Sequence, residues 1–448
     1  MSSLRNTKED NDRFADSTGR EQFLELLNFG LRGAEKRDTR WRRLKVHERL
    51  PAFLQHAKNS VPYYQRLFGN WSRIPALEDF PIVSRSDVAA CRADFISRRF
   101  RKLADILYTH TNRTVDMILK VGFDHAELYE INHGIYERLK TVIPDVAELA
   151  EPGRVSVCII ADTPRQLHSS ALLIPWKASI CRRLYLGAGD EAQVVHYLAR
   201  LNLPLLYGRP SNLVQLAEIA RAEGVRITPK AVFVSGENLF DEDREKISES
   251  FSSRIVNAYI ATEGGMIALA CPLKNVLHVQ EDRVLLEILD DIGDIKDEGT
   301  GHILLTNHSN RCSVFIRYKL GDRGTIAKTN CICGFSGTTI VELPGKEETE
   351  FRFADRIVPV SRIASVFSDY PVQQFQVTQV SNGDLHVRWI PMVSESQTIN
   401  LEIERKIEQL VGEGRCRAEV VSRINVPGGK QKRFTCESLS TSLSVMDA

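Results

Sequence analysis

Neither sign of charge dominates the chain, and no long apolar run interrupts it. The 59 Lys and Arg residues against 58 Asp and Glu residues leave a formal net charge of +1. This balance provides no chain-wide basic field, which argues against nucleic acid as a partner. No segment approaches the roughly 18 consecutive apolar residues of a membrane-spanning helix, and residues 1–20 lack the apolar stretch of a signal peptide. We therefore expect no membrane span and no secretion.

Cysteine is also sparse. Nine cysteines are scattered over 448 residues, an odd number without the close spacing of a small disulfide-stapled domain. This pattern favours reduced thiols and a cytoplasmic location. Hydrophobic residues at 43% and charged residues at 26% are close to the globular average, which excludes disordered and fibrous classes. The length predicts about three domain-sized units or one large enzyme.

The rhythm of apolar residues predicts the fold class. Short apolar, partly β-branched runs at 154–160, 203–207, 230–234 and 254–260 read as buried strands. Helical patterns lie between them, including one that Ser211 is expected to cap. Strands that alternate with helices in this way predict an α/β fold with a parallel sheet covered by helices.

Beyond residue 280 the pattern changes to mostly strand. Runs at 284–289, 302–306 and 314–318 predict a β-rich subdomain over about 265–344. Pro344-Gly345 then precedes a charged stretch, which marks a domain boundary. The β-rich subdomain is therefore expected to be the last part of the larger domain before this boundary.

The domain organisation follows from these changes. Residues 1–22 are polar and aperiodic, which predicts a flexible leader. Residues 23–344 are expected to form the large N-terminal domain. Residues 345–448 read as a small α+β domain, because two strands flank the turn 381–384 and an amphipathic helix follows at about 398–411.

Polar residues follow two of the predicted strands. Ser235-Gly236-Glu237 comes after the strand at 230–234, and Tyr259, Thr262 and Glu263 come at or just beyond the end of the next one. Open α/β sheets bind ligands at the carboxyl ends of their strands. The polar side chains of the second segment are therefore expected to emerge at a ligand-binding edge.

These segments, in this order, resemble the motifs of the adenylate-forming superfamily, most closely its phenylacetate–CoA ligase-like branch. The family's Tyr-Gly-x-Thr-Glu motif stacks its tyrosine on adenine, contacts phosphate through its threonine and holds Mg²⁺ through its glutamate. The resemblance assigns these roles to Tyr259, Thr262 and Glu263, with Ile260 in place of the usual glycine. It also implies that Ser235, Gly236 and Glu237 line the nucleotide site.

Two further motifs strengthen the resemblance, which spans about residues 45–435 because the segments 60–68 and 80–85 also resemble this branch. The segment from Arg317 to Asp322 is similar to the family's Arg-Tyr-x-x-Gly-Asp, whose aspartate accepts hydrogen bonds from the ribose hydroxyls. Pro427-Gly428-Gly429-Lys430 is similar to the loop whose lysine reaches the carboxylate and the α-phosphate. A cation suits that position because negative charge accumulates as carboxylate attacks phosphate.

The chain departs from the family in its phosphate loop and its hinge. The counterpart of the phosphate loop, residues 108–116, has no glycine, and either Arg113 supplies the missing charge or the loop has no phosphate role. The family's Gly-Arg-x-x-Asp hinge is here Gly345-Lys346 followed by acidic residues. Lys346 either reaches ribose or phosphate, or belongs to a solvated charged run.

Four residues form a candidate metal set, and some members of the branch carry such a set. Three thiols and one imidazole match a closed tetrahedral zinc site that would hold loops of the β-rich subdomain together. The alternative is that the thiols are ordinary core residues. The four residues are Cys271, His278, Cys331 and Cys333.

The resemblance implies a two-step ligase that uses ATP and Mg²⁺ and releases AMP. A carboxylic acid, with an aromatic acid as the family-based expectation, becomes an acyl-adenylate and is then transferred to the thiol of CoA or of a carrier protein's phosphopantetheine. The C-terminal domain is expected to act as a mobile lid that carries Lys430. A homodimer is left open. The alternative function is a non-catalytic scaffold or nucleotide sensor with a degenerate phosphate loop.

Overall fold

A twelve-stranded mixed sheet organises the larger part of the chain. The computed structural model describes residues 46–100, 106–110, 120–124, 138, 142–143, 155–161, 180–186, 191–201, 203–345, 350–391, 396–424 and 433–437. The chain divides into two compact units, Met1–Leu343 and Pro344–Ala448.

The described helices and strands are numbered in chain order. The helices are α1 Val46–Ser60, α2 Pro62–Phe68, α3 Arg85–Ala90, α4 Glu191–Ala199, α5 Pro210–Ala222, α6 Asp241–Phe251, α7 Val360–Ser368 and α8 Ser396–Val411. The strands of the first unit are β1 Ile106–His110, β2 Lys120–Asp124, β3 Val155–Ala161, β4 Ile180–Tyr185, β5 Leu205–Gly208, β6 Ala231–Ser235, β7 Arg254–Ala261, β8 Gly265–Ala270, β9 Leu277–Val279, β10 Leu285–Leu289, β11 Ile295–Lys296, β12 Gly299–Thr306, β13 Tyr318–Asn330 and β14 Ser336–Gly345, whose last two residues lie beyond the unit boundary. Those of the second unit are β15 Glu350–Arg352, β16 Ile357–Pro359, β17 Val372–Gln379, β18 Leu385–Pro391, β19 Cys416–Val420 and β20 Phe434–Cys436.

The large sheet has a parallel half and an antiparallel half. Its strand order is β11-β10-β12-β13-β14-β9-β8-β7-β6-β5-β3-β4. Strands β7, β6, β5, β3 and β4 are parallel neighbours, whereas the pairings recorded from β7 toward β11 are antiparallel. The α/β class predicted from alternating strands and helices is confirmed.

Both faces of the parallel half are buried, which explains its nearly continuous apolar strands. On one face, Val157 and Ile159 of β3 pack in a core shared with α1 and the β-rich strands. On the other face, Cys158 and Ile160 pack against α4, α5 and α6 in a second core. The sheet is therefore the middle layer between two apolar layers.

One predicted strand is wrong. Residues 314–317 do not form a strand, and β13 begins only at Tyr318. Arg317 has a φ of 49°, in the left-handed region, so the chain bends sharply there and cannot remain extended. The apolar run 314–316 is buried in the core as irregular chain.

The second unit has a four-stranded sheet in the order β19-β18-β17-β20. Strands β17 and β18 are antiparallel, while β20 and β19 pair in parallel with β17 and β18 respectively. Trp389 is fully buried, and its Nε1 donates a hydrogen bond of 2.8 Å to Asn400 Oδ1 of α8. Phe367 stacks on Phe375 with ring centroids 3.9 Å apart. Among the described residues, no helix combines the length and apolarity that crossing a bilayer requires.

Candidate active site

Two of the predicted segments lie at the same edge of the sheet. Strands β6 and β7 are parallel neighbours, and Ser235, the last residue of β6, pairs with Ala258. Tyr259 therefore lies one residue further along β7. The carboxyl ends of parallel strands are the usual binding edge of an α/β sheet.

A tight turn joins β7 to β8 and contains Thr262 and Glu263. Gly264 leaves no room for a side chain, because a Cβ atom there would lie 2.8 Å from Ile267 Cγ1. Gly265 has a φ of 66°, which glycine adopts at no steric cost. The two glycines thus allow the turn that presents Glu263, which is 5% exposed.

Two tyrosine–carboxylate hydrogen bonds join this turn to β13. Tyr259 Oη donates to Asp322 Oδ2 at 2.6 Å, and Tyr318 Oη donates to Glu263 Oε1 at 3.0 Å. Tyr318 and Asp322 share the buried face of β13 because they are four residues apart on a strand. We call these four residues, Tyr259, Glu263, Tyr318 and Asp322, the clasp.

Both tyrosines of the clasp are held in the protonated form. Burial and the neighbouring Asp322 raise the pKa of Tyr259 well above its ordinary value. Burial and the neighbouring Glu263 likewise raise the pKa of Tyr318. Each hydroxyl is therefore a hydrogen-bond donor to its carboxylate throughout the ordinary pH range.

The Glu263 carboxylate is supported on one side and available on the other. Asn307, which is fully buried, donates from Nδ2 to the Glu263 backbone carbonyl at 2.8 Å. Among the described residues the structure records no hydrogen bond to Glu263 Oε2. An oriented carboxylate with one available oxygen is suited to a hard cation, so the residue fits the Mg²⁺ that the sequence resemblance implies.

The side chains of Ser235 and Glu237 bind neighbouring protein groups. Ser235 Oγ lies 2.8 Å from Tyr207 Oη of β5. Glu237 Oε2 accepts a hydrogen bond of 2.7 Å from Ser211 Oγ. The expectation that Ser211 caps its helix is therefore wrong, because α5 begins at Pro210 and the hydroxyl is directed to Glu237. Between them Gly236 has a φ of 91°, which turns the chain at the end of β6.

Three predicted site residues lie outside the described residues. They are Lys430 of the Gly-Lys loop, Lys346 of the hinge and Arg113 of the altered phosphate loop. Sequence reasoning also gave no role to Tyr318 or Asn307. Tyr318 had a detectable signal, because a residue four before Asp322 on a strand shares its face.

The four candidate metal ligands lie together in the β-rich part. Their ligand atoms are all within 4.8 Å of one another, and we call Cys271, His278, Cys331 and Cys333 the thiol–imidazole cluster. Cys271 Sγ is 3.7 Å from Cys331 Sγ, and His278 Nε2 is 3.2 Å from Cys333 Sγ. Two sulfurs that are each about 2.3 Å from a tetrahedral zinc ion lie about 3.8 Å apart. The donor set and its spacing therefore fit zinc.

The surroundings of the cluster orient its ligands. His278 Nδ1 lies 3.2 Å from Thr339 Oγ1, so Nε2 faces the thiols, and the imidazole stacks on Phe335 at 4.1 Å. Burial lowers the pKa of His278, which favours the neutral imidazole that binds metals. A backbone hydrogen bond from Cys333 lowers the pKa of Cys331, whereas burial raises that of Cys333.

Comparison with curated proteins gives one partial relative. No protein-family model matches the chain. The chain is similar to the indoleacetate–lysine synthetase of Pseudomonas savastanoi, with 26% identity over 160 residues. The match covers 34% of this chain and 38% of that protein, well under half of its length.

Comparison with solved structures covers far more of the chain. A 2-hydroxyisobutyryl-CoA ligase in the postadenylation state matches with a TM-score of 0.71 and 19% identity, over 88% of this chain and 89% of that chain. An open conformation of the same ligase, with CoA, matches at 0.56 and 20% identity over 87% and 90%. An anthranilate CoA ligase with anthranoyl-AMP matches at 0.50 and 14% identity over 73% and 65%.

The fold comparison agrees with the sequence motifs. The clasp joins Tyr259 and Glu263 of one motif to Tyr318 and Asp322 of the other, two segments that lie about sixty residues apart in the chain. The matches to 2-hydroxyisobutyryl-CoA ligase extend over nearly nine-tenths of the chain. The chain therefore has the fold of the adenylate-forming acyl-CoA ligases.

Proposed function

We propose that this protein uses ATP to activate a carboxylic acid as an acyl-adenylate and then transfers the acyl group to a thiol. The observation that carries the proposal is the clasp, which brings two oriented carboxylates to the carboxyl edge of the parallel sheet. One carboxylate is suited to a cation and the other to a ribose diol. The thiol is that of CoA or of a carrier protein's phosphopantetheine.

The nucleotide is held by Tyr259 and Asp322. The ring of Tyr259 stacks on adenine, and its hydroxyl keeps Asp322 oriented through the 2.6 Å hydrogen bond. Asp322 Oδ1 then accepts from the ribose hydroxyls, since an ionised carboxylate has about four acceptor positions. Ser235, Gly236 and Glu237 line the same edge through their backbone atoms. The side chains of Ser235 and Glu237 are bound to other protein groups.

The first chemical step joins the acid to the α-phosphate. A carboxylate oxygen attacks phosphorus, a new P–O bond forms, and the bond to pyrophosphate breaks, so that pyrophosphate leaves with the electron pair. Mg²⁺, when bound, neutralises charge on the phosphate oxygens. Glu263 would hold that ion through Oε2, and Thr262 contacts phosphate from the same turn.

The C-terminal unit completes the proposal. Lys430 of this unit neutralises the charge that develops during adenylation, and Lys346 lies close in sequence to the unit boundary. Arg113 belongs to the other unit and supplies charge in the glycine-free phosphate loop. In this proposal residues 345–448 rotate between the two steps, because Lys430 must enter the site for adenylation and withdraw before the thiol attacks. In the second step the thiolate attacks the acyl carbon and AMP leaves.

A second candidate acceptor is an amine. The partial relative from Pseudomonas savastanoi is an indoleacetate–lysine synthetase, whose name indicates an acid joined to an amino acid. The same acyl-adenylate would then yield an amide instead of a thioester. An aromatic acid suits both candidates, and the reduced thiols of this chain suit the cytoplasm.

A non-catalytic nucleotide sensor is the competing function. The glycine-free segment 108–116 favours it, because glycines let backbone N–H groups approach phosphates. A test of acid-dependent ATP–pyrophosphate exchange, over aromatic and aliphatic acids, separates the two functions. We expect exchange with at least one acid, followed by product formation with CoA, phosphopantetheine or lysine. ATP binding without exchange by any acid would favour the sensor.

We also propose one structural zinc ion in the thiol–imidazole cluster. With four protein ligands the site would be closed, which is typical of structural zinc. Metal analysis of protein purified under reducing conditions should find about one zinc per chain. Cys331→Ser with Cys333→Ser should abolish it, while Cys91→Ser, outside the cluster, should not. Zinc near zero in the unmodified protein would contradict the proposal.

A further inference from the structure

Arg317 has an unusual backbone conformation at the start of β13. Among the described residues it is one of two non-glycine residues with positive φ, at 49°. This conformation is unfavourable for an L-residue, because its Cβ comes too close to the following carbonyl oxygen. Because Arg317 is 6% exposed, water does not stabilise it, and protein contacts must hold it.

Those contacts come from several directions. Arg317 forms a buried ion pair with Glu287 of β10, with Nη2 2.6 Å from Oε1 and Nε 3.0 Å from Oε2. Nη1 donates to the carbonyl of Glu78 at 3.3 Å. The Arg317 backbone N–H donates to Thr306 Oγ1 at 3.1 Å, and its carbonyl accepts from the Val83 N–H at 3.1 Å. Side chain and backbone are therefore both fixed.

The bend at Arg317 determines which face of β13 carries the clasp residues. Tyr318 follows the bend directly, and residues four apart on the strand share its buried face. A shift of register by one residue would turn that face away. The Tyr318 hydroxyl could then no longer reach Glu263.

We propose that Arg317, held by Glu287, is a positioning residue that fixes Tyr318 and through it the metal-binding carboxylate of Glu263. The inference rests on the proposed function, because that function assigns Mg²⁺·ATP to Glu263. Neither Arg317 nor Glu287 has a recorded contact with a clasp carboxylate, so both act through the chain. A buried ion pair is weak evidence for stability, whereas its planar, bidentate geometry is suited to fixing a direction.

The test measures metal binding, which does not require turnover. Mn²⁺ is titrated against the full-length protein with ATP and followed by electron paramagnetic resonance. Arg317→Lys keeps the charge but loses the planar fork, and we expect about tenfold weaker Mn²⁺ binding, the size of a support to a metal ligand. Tyr318→Phe removes only the hydroxyl and should weaken binding similarly.

The double variant decides whether the arginine acts through the tyrosine. If it does, Arg317→Lys combined with Tyr318→Phe binds Mn²⁺ no more weakly than Tyr318→Phe alone. The matched control is Arg323→Lys on the same strand, whose partner Asp291 lies 2.8 Å away in an exposed ion pair. Mn²⁺ binding by this control should be unchanged.

A milder variant covers the case in which Arg317→Lys does not fold. Glu287→Gln keeps the size and one acceptor oxygen of the partner, and should weaken Mn²⁺ binding about threefold without adding to Tyr318→Phe. Full additivity, unchanged Mn²⁺ binding in the variants, or no ATP-dependent Mn²⁺ binding by the unmodified protein would overturn the inference. Intact Mn²⁺ binding without acid-dependent exchange would instead overturn only the proposed function.

Discussion

The clasp and the thiol–imidazole cluster lie beyond opposite ends of one strand. Glu263 comes two residues before the first residue of β8, and Cys271 directly follows its last residue. A strand rises about 3.4 Å per residue, so the two sites are roughly 20 Å apart along it. Both gather residues that are distant in sequence, yet they differ in what they leave available.

The four clasp side chains hydrogen-bond to one another in pairs without a ligand. Each carboxylate accepts a hydrogen bond from a tyrosine hydroxyl at one oxygen, and in the proposed function the other oxygen binds a cation or a diol. In the cluster, by contrast, all four ligand atoms lie within 4.8 Å of one another, close enough for one metal ion to bind them together. On the proposed roles, the clasp would exchange its ligands and the cluster would hold one structural ion.

Both regions use a neighbouring hydroxyl to orient a ligand. Tyr318 Oη is 3.0 Å from the Glu263 carboxylate, and Thr339 Oγ1 is 3.2 Å from His278 Nδ1. Outer partners of this kind fix the direction of a ligand and tune its affinity. Substitutions in the clasp should therefore change chemistry, and substitutions in the cluster should change metal content and stability.

The largest expected effect tests whether the clasp binds the nucleotide without Lys430 but requires Lys430 for adenylation. Lys430→Ala should reduce acid-dependent ATP–pyrophosphate exchange by about 10²- to 10³-fold, because one preorganised cation is lost from the adenylation step. AMP binding, measured by calorimetry, should be unchanged because Tyr259 and Asp322 remain. Exchange that is indifferent to the substitution would remove Lys430 from the mechanism.

A smaller effect is expected from the ribose acceptor. Asp322→Asn should weaken AMP binding by about 10- to 100-fold, the value of hydrogen bonds to a charged group. The zinc content should not change, since the cluster lies beyond the far end of β8. Calorimetry and metal analysis on the same preparation measure both quantities. Loss of zinc in this variant would show that the two regions are not independent.

Sequence patterns predicted the fold because the relevant signals are local. The run 230–234 corresponds to β6 and the run 254–260 to β7, since continuous apolar segments bounded by polar residues have few alternatives in a buried parallel sheet. The strand predicted at 314–318 is wrong. The run is apolar because it is buried as irregular chain, and the left-handed conformation of Arg317 prevents a strand. Periodicity does not report a single strained residue.

The sequence predicted which residues belong to the candidate site but not the contacts between them. Family motifs selected Tyr259, Glu263 and Asp322, but the hydrogen bond between Tyr318 and Glu263 joins residues 55 apart. Such pairings depend on how β13 enters the sheet, which no local pattern encodes. The roles of Lys430 and the other residues outside the described ranges stay predictions.

The zinc affinity of the thiol–imidazole cluster should depend on the Thr339 hydroxyl, whereas exchange at the clasp should not. Thr339→Val keeps the shape of the side chain and removes the group beside His278 Nδ1, so zinc affinity should fall by about tenfold. Competition with a chelator measures this change, and acid-dependent exchange should be within about twofold of the original. Thr325→Val serves as control, because Thr325 is half-buried in the middle of β13 and its hydroxyl pairs with that of Thr300. Equal zinc loss in both variants would contradict a specific role for Thr339.

The smallest effect concerns the Tyr259 hydroxyl, and its sign is informative. The hydroxyl binds Asp322 Oδ2 at 2.6 Å, so it either orients the carboxylate for ribose or competes with ribose. A carboxylate has about four acceptor positions, so one donor leaves enough for a diol, and orientation should dominate. Tyr259→Phe keeps the ring and should weaken AMP binding about fivefold, because the carboxylate loses one orienting hydrogen bond but keeps its charge. Tighter AMP binding by calorimetry would mean that the hydroxyl competes, and the clasp would then be a closed state that nucleotide must open.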